Sequence, residues 1–119
     1  MKILIIDDSK VMRAMIKRCL GKTDIEAEFI EAGNGIEALE VLAGQPDLIL
    51  CDWKMPNMDG LEFLCRIRSQ GHEIPLVMVT SESSPEKKKQ ALEAGASGFL
   101  MKPFSAEELL QEIKEMESS

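Results

Sequence analysis

The chain has 119 residues, 45% of them hydrophobic and 29% charged, with a formal net charge of −7. That length fits a single globular domain, 1–119, with little room for a second. The acidic balance argues against direct binding to nucleic-acid phosphates, and the opening MKILIIDD, whose apolar run stops at two acids, is neither a signal peptide nor a membrane span.

Short apolar runs alternate with helical patterns from the first residues onward. Ile3 to Ile6 reads as a strand. From Ser9, the residues Val11, Met12, Met15, Ile16, Cys19 and Leu20 recur at helical spacing, and Gly21 offers a stop. Ala27 to Ile30 is a second, weaker strand, fit for a sheet edge. NGIEALEVLAG is a short helix with Ile36, Leu39 and Leu42 expected inward.

Leu48 to Cys51 is the third strand, and Asp59 is placed to cap a third helix carrying Leu61, Leu64 and Ile67. Ile74 to Val79 is the fourth strand. SSPEKKKQALEAG then supplies a cap at Ser84, a proline at the first helical position and Gly95 at the end. GFLMK is the fifth strand, and SAEE at Ser105–Glu108 matches a capping box opening a last helix with Leu109, Leu110, Ile113 and Met116.

Five βα units with continuous rather than alternating apolar strands predict an α/β fold, a parallel five-stranded sheet covered by helices on both faces. Met12, Met15, Met78 and Met101 fit core positions, whereas Met55 and Met58 fall in a loop and are expected partly exposed. Cys19, Cys51 and Cys65 lie in apolar patterns without metal-ligand spacing and read as reduced, buried thiols of a cytoplasmic protein.

The polar residues at the strand ends carry the chemistry. The first strand ends in Asp7 and Asp8, the third in Asp52, the fourth in Thr80 and Ser81, the fifth in Lys102. In open α/β sheets the carboxyl edge of the strands is where ligands bind. If the strand order is 2-1-3-4-5, the first and third strands are neighbours and the three aspartates converge.

Two carboxylates ~4 Å apart repel by about 4 kcal/mol at an effective dielectric of ~20. A hard divalent cation relieves that repulsion, and Mg²⁺ characteristically takes one or two carboxylates with waters and a phosphate oxygen. A carboxylate can also act as nucleophile and form an aspartyl phosphate. Lys102 and the Thr80 hydroxyl are the kind of groups that stabilise a transferring phosphoryl group. Taken singly, each of these residues reads as a cap, a strand end or a surface charge. Their placement at one sheet edge favours the functional reading.

IIDDS, LILCDWKMPNMDG, LVMVTS and MKPF, in that order, resemble the receiver domains of two-component response regulators, most closely the small stand-alone chemotaxis-regulator type. The resemblance covers essentially the whole chain. It implies the flavodoxin-like doubly wound fold with order 2-1-3-4-5. It also implies that Asp52 is the phosphoacceptor, taking a phosphoryl group from a phosphohistidine on a sensor histidine kinase or phosphotransfer protein.

Asp8 and Asp52 would ligate Mg²⁺, with Mn²⁺ as a substitute, together with the backbone carbonyl of Lys54; Asp7 would act largely through a water on the metal. Lys102 would pair with the Asp52 carboxylate and then with the phosphoryl group. Thr80 would move to bond a phosphoryl oxygen while Phe99, the aromatic switch residue, turns inward. The Lys102–Pro103 bond would be cis. The surface of the fourth helix, fifth strand and fifth helix would carry the signal to a protein target, with no direct contact to nucleic acid or membrane and no substrate turnover.

Phe99 stands where many members have tyrosine, so it has no hydroxyl to donate to a partner. Lys54 and Glu82 flank the site with opposite charges and are expected to face each other across its mouth and modulate hydrolysis of the acyl phosphate. Trp53 should lie near the metal site, as a reporter of binding or as a cover on its rim. His72 in SQGHEIP and the charge run Glu86–Lys89 read as solvated surface, the latter on the side the family uses for output.

Competing classes fare worse. A phosphohydrolase of the haloacid-dehalogenase type would carry its nucleophile after the first strand in an Asp-x-Asp pattern, and LILCD lacks the Gly-x-x-x-x-Gly-Lys partner of a nucleotide site. A flavin phosphate would be repelled by the acids after the first strand. Only ESS follows the last helix, so output runs either through the domain surface or through an effector domain in a longer reading frame.

Overall fold

The computed structural model describes residues 1–82 and 84–117; Ser118 and Ser119 of the closing ESS lie outside them. Five strands, β1 (Lys2–Ile6), β2 (Glu28–Ala32), β3 (Leu48–Asp52), β4 (Leu76–Thr80) and β5 (Gly98–Met101), form one parallel sheet in the order β2-β1-β3-β4-β5. They alternate with α1 (Lys10–Gly21), α2 (Gly35–Val41), α3 (Gly60–Ser69), α4 (Pro85–Glu93) and α5 (Ala106–Glu117), and one 3-10 turn, Leu42–Gly44, extends α2. The weak second strand is the sheet edge, and it runs two residues further than its apolar pattern suggested, through Glu31 to Ala32.

Strand side chains alternate between faces, so each strand feeds two cores. Leu4, Ile6, Ile49, Cys51, Leu76 and Met78 pack with Ala38, Phe63, Leu64, Ile67 and Ala91 beneath α2, α3 and α4. Ile3, Ile5, Leu48, Leu50, Val77, Val79 and Leu100 pack with Ile16, Leu20, Leu109 and Ile113 beneath α1 and α5. Apolar residues on both sides of every central strand explain why no polar alternation shows in the sequence.

Each helix starts on a polar cap. Ser9, Asn34, Asp59 and Ser84 accept from the backbone N–H three residues on, and Ser105 and Glu108 bond each other's backbone N–H reciprocally. These caps fix each strand-to-helix turn at the carboxyl edge of the sheet.

Several sequence-based placements are corrected. Val11, at the second position of α1, is 80% exposed because the buried arc of that helix runs through Ile16 and Leu20. Ile36 is exposed, since α2 turns Gly35 and Ala38 inward instead. Met101 is also exposed, at the end of β5. Met58 is buried, because Gly35 at the start of α2 packs so closely on its side chain that a Cβ there would stand 2.7 Å from Met58 Cγ. Of the three thiols only Cys51 is buried; Cys19 is half-buried, and Cys65 lies on the outer side of α3, away from Phe63, Leu64 and Ile67.

Candidate functional site

The register brings the polar strand ends level. Ile6 pairs with Cys51, Asp52 with Val79 and Thr80 with Met101, so Asp7, Asp52, Thr80 and Lys102 all sit at one edge. Alternation then sorts them. Asp7 continues the series Ile3, Ile5; Asp52 continues Leu48, Leu50; Lys102 follows Leu100 by two. All three therefore belong to the α1/α5 side, whereas Thr80 shares its parity with Met78 and the α4 side.

The loop after Asp52 is held by backbone contact. Gly60 N–H donates to Trp53 O at 2.8 Å, and a Cβ on Gly60 would stand 2.1 Å from the Asp52 carbonyl oxygen. Only glycine permits that approach, so Gly60 docks the start of α3 directly on the residue that ends β3.

Asp7, Asp8 and Asp52 converge, each offering a carboxylate oxygen within 4.8 Å of the others. Asp7 is 3% and Asp52 8% exposed, while Asp8 opens to solvent. The Lys102 ammonium stands 2.9 Å from Asp7 Oδ2 and 3.4 Å from Asp52 Oδ2. The resemblance assigned this lysine to Asp52, but its shorter contact is with Asp7, and it spans both. The Lys102–Pro103 bond is cis.

Burial raises the Asp52 pKa, the Asp7 charge adds to the rise, and Lys102 offsets part of it. For Lys102, burial works against the charge, but bonding to Asp7 and the Asp52 charge outweigh it and hold the ammonium protonated above its usual range. Burial, with Asp52 beside it, pushes the Cys51 thiol far up, so this cysteine is inert packing next to the site.

Thr80 is buried, and its hydroxyl accepts the Glu82 N–H at 3.2 Å. Phe99 is half-buried on the Thr80 side of the sheet and borders a hollow of about 440 Å³ with Ser84, Pro85, Lys88 and Met101. The Trp53 N–H donates to Asp52 Oδ1 at 2.9 Å, and its ring is buried.

Lys54 and Glu82 form an ion pair across the mouth, and Lys87 joins them, its Nζ 2.7 Å from Glu82 Oε2 and 4.8 Å from the Trp53 ring centroid. Lys87 was expected to be solvated with the rest of its charge run. The Ser84 cap sets it in the first turn of α4, and from there a lysine stem spans to the loop. Bonding from Lys54 and then Lys87 draws the Glu82 carboxyl down to about 2, and Glu82 in turn raises Lys54. Arg13, not singled out from the sequence, donates to the backbone oxygen of Asp7. His72 is exposed. No helix among the described residues is long and apolar enough to cross a membrane.

Fold and site together define a doubly wound α/β protein whose first and third strands deliver an acidic, lysine-backed crevice. Residues 3–114 match the response regulator receiver domain, and the chain belongs to that family. It is 36% identical over 118 residues to chemotaxis protein CheY1 of Helicobacter pylori, with 96% of this chain and 94% of that protein covered. It is 38% identical over 115 residues to response regulator MprA of Mycobacterium leprae, of which it spans only 50% while 96% of this chain is covered.

Among solved structures, the receiver domain of Francisella response regulator 1452 superposes with a TM-score of 0.89 at 30% identity, covering 98% of this chain and 96% of that one. Vibrio cholerae chemotaxis protein CheY4 superposes with a TM-score of 0.83 at 39% identity, covering 96% of each chain.

Proposed function

We propose that this chain is a phosphorylation-activated switch in which Asp52 accepts a phosphoryl group from a phosphohistidine of a sensor kinase or phosphotransfer protein, in a Mg²⁺-dependent reaction. The single observation that carries this reading is the convergence of Asp7, Asp8 and Asp52 within 4.8 Å beside the Lys102 ammonium. As a receiver domain the chain serves phosphorylation-dependent signalling; the donor, the metal and the output face are the proposal.

In the transfer, an Asp52 carboxylate oxygen attacks phosphorus. The P–N bond breaks, its electron pair returns to the imidazole nitrogen, and an acyl phosphate remains on Asp52. Lys102, already between Asp7 and Asp52, supplies charge to the transferred group without leaving its place. Asp52 reacts as a carboxylate made more basic by burial and by Asp7.

The donor set fits a hard divalent ion, since every ligand offered is a carboxylate oxygen. Asp7 has both oxygens engaged, Oδ1 by Ser9 N–H and Oδ2 by Lys102. Asp52 is met by Trp53 N–H at Oδ1 and more loosely by Lys102 at Oδ2, while Asp8 is open; the resemblance to receiver domains makes Asp8 and Asp52, with the Lys54 carbonyl, the residues that would hold Mg²⁺ or Mn²⁺ directly. The ion would neutralise charge on the attacking carboxylate and on the phosphoryl oxygens.

For output, Thr80 must exchange the Glu82 N–H for a phosphoryl oxygen. Phe99, on the same side of the sheet, turns into the space Thr80 leaves, and the α4–β5–α5 face changes shape for a protein target. Such a switch is a population shift between conformations a few kcal/mol apart. The names of the CheY1 and CheY4 relatives support a role of the chemotaxis-regulator type, which we place in the cytoplasm. The protein turns over no separate substrate in this reading.

Acetyl phosphate with Mg²⁺ should add one phosphoryl group, read by intact mass. Asp52→Asn and removal of Mg²⁺ should each abolish the addition. Robust labelling of the Asn variant would overturn the assignment.

A further inference from the structure

Every polar atom of Asp7 has a partner. Its N–H donates to Ala32 O at 3.0 Å, its Oδ1 accepts Ser9 N–H at 2.9 Å, and its Oδ2 accepts Lys102 Nζ at 2.9 Å. Its backbone oxygen accepts from Arg13 Nη1. The same guanidinium donates from Nε to Glu31 Oε1 at 3.1 Å, and Glu31 immediately precedes Ala32. The contacts close a ring, from Asp7 to Ala32, back one residue to Glu31, across to Arg13 and home to Asp7. Lys17 braces it at Glu31 Oε2, 2.9 Å away. The Arg13 side chain is largely buried within this ring.

The backbone oxygen that Arg13 holds belongs to the peptide joining Asp7 to Asp8. Asp8 is exposed and its carboxylate has no hydrogen-bond or ion-pair partner among the described residues. The Asp7–Asp8 peptide therefore sets only where the Asp8 side chain leaves the backbone. We propose that Arg13 is a positioning residue for the acidic crevice: by tying the Asp7–Asp8 peptide to Glu31 of β2 it fixes where both side chains leave the backbone, and so sets the affinity of the site for a divalent cation.

This rests on the cation site proposed above. The physical reason is that an outer partner which orients a ligand removes rearrangement that binding would otherwise require. Arginine suits the task because its planar fork addresses a carbonyl and a carboxylate at once, which a single ammonium does in poorer geometry. A purely structural tether between α1 and β2 would raise thermal stability yet leave the affinity of the folded protein alone.

Calorimetric titration with Mg²⁺, beside thermal unfolding in chelator, separates the two. Arg13→Ala should weaken Mg²⁺ binding by roughly tenfold or more. Arg13→Lys should fall between it and the parent. Glu31→Gln should weaken binding less, and should add nothing when combined with Arg13→Ala. A folded Arg13→Ala protein with parental affinity, whatever its unfolding temperature, overturns the proposal. Should Arg13→Ala not fold, parental affinity in both Arg13→Lys and Glu31→Gln overturns it equally. If the parent protein takes up no Mg²⁺, the cation site itself fails, an outcome distinct from a parent that binds and an Arg13 variant that binds alike.

Discussion

Two lysine–carboxylate clusters flank one crevice, and they differ in sign. In the inner cluster Asp7, Asp8 and Asp52 face the single ammonium of Lys102. In the outer cluster Lys54 and Lys87 share the single carboxylate of Glu82. Asp7 and Asp52 of the inner group are buried and Asp52 is pushed up in pKa; the outer group is open to solvent and its carboxyl is drawn down to about 2. Burial decides the contrast. Charges removed from water are destabilising unless fully matched, whereas exposed pairs are screened and weak. The inner cluster could thus hold a further cation, while the outer one joins α4 to the rim.

The largest effect expected from this contrast belongs to Lys102, whose ammonium meets the carboxylates of both Asp7 and Asp52. Lys102→Ala should slow labelling by acetyl phosphate by on the order of a hundredfold, the size typical of losing one charge-stabilising donor. Equal rates for the alanine variant and the parent would mean that the inner ammonium serves stability alone.

Next in size is the relief of inner repulsion. Asp52→Asn should raise the stability of the metal-free fold, read as a higher urea midpoint at constant slope. The sign follows from linkage. The Asp52 pKa is raised on folding, so just above the ordinary aspartate range the folded state binds more protons than the unfolded chain, and stability falls as pH rises through that window. The Asn variant should lose this part of the slope. Saturating Mg²⁺ should stabilise the parent more than the variant, by about 2.7 kcal/mol at a hundred times the dissociation constant.

Most of the inner cluster was legible in the sequence, because strand ends are. A continuous apolar run of fixed length ending in a polar residue places that residue at the sheet edge, and the βα order lines the edges up. Asp7, Asp52 and Thr80 follow from this reasoning, as do the caps at Ser84 and Ser105. What could not be read depends on how helices sit on the sheet. Lys102 reaches Asp7 before Asp52, Met58 is sealed by the approach of Gly35, and Cys65 turns outward; each reflects a helix or loop position that no local pattern encodes. Lys87 and Arg13 went unseen for a related reason. Long cationic side chains on a helix read as solvated until a carboxylate, ring or carbonyl from another element is known to lie within reach.

At the rim the effects shrink. If Lys54 and Glu82 control how water reaches the acyl phosphate, Lys54→Ala and Glu82→Ala should each change the phosphorylated half-life by roughly two- to fivefold, the range set by an exposed pair. Unchanged half-lives in both would leave the rim with no part in hydrolysis.

The finest test concerns the Glu82 carboxyl itself. Its folded pKa, about 2, lies below the ordinary 4.5, so its favourable pairing is fully present above 4.5 and is lost as pH falls through about 2. Carbon-detected NMR titration of the Glu82 side chain should therefore show a midpoint near the lower value. Lys54, the larger influence, and Lys87 act on separate oxygens, so Lys54→Ala should lift the midpoint more than Lys87→Ala, and the double variant should bring it close to 4.5. Added salt should raise the midpoint in the parent and leave it nearly fixed in the double variant, because only the parent has charge to screen. A parent midpoint already near 4.5 would mean that the two lysines spend most of their time in water, and the rim would then be a loose fringe of charges instead of a bridge from α4 to the loop that follows Asp52.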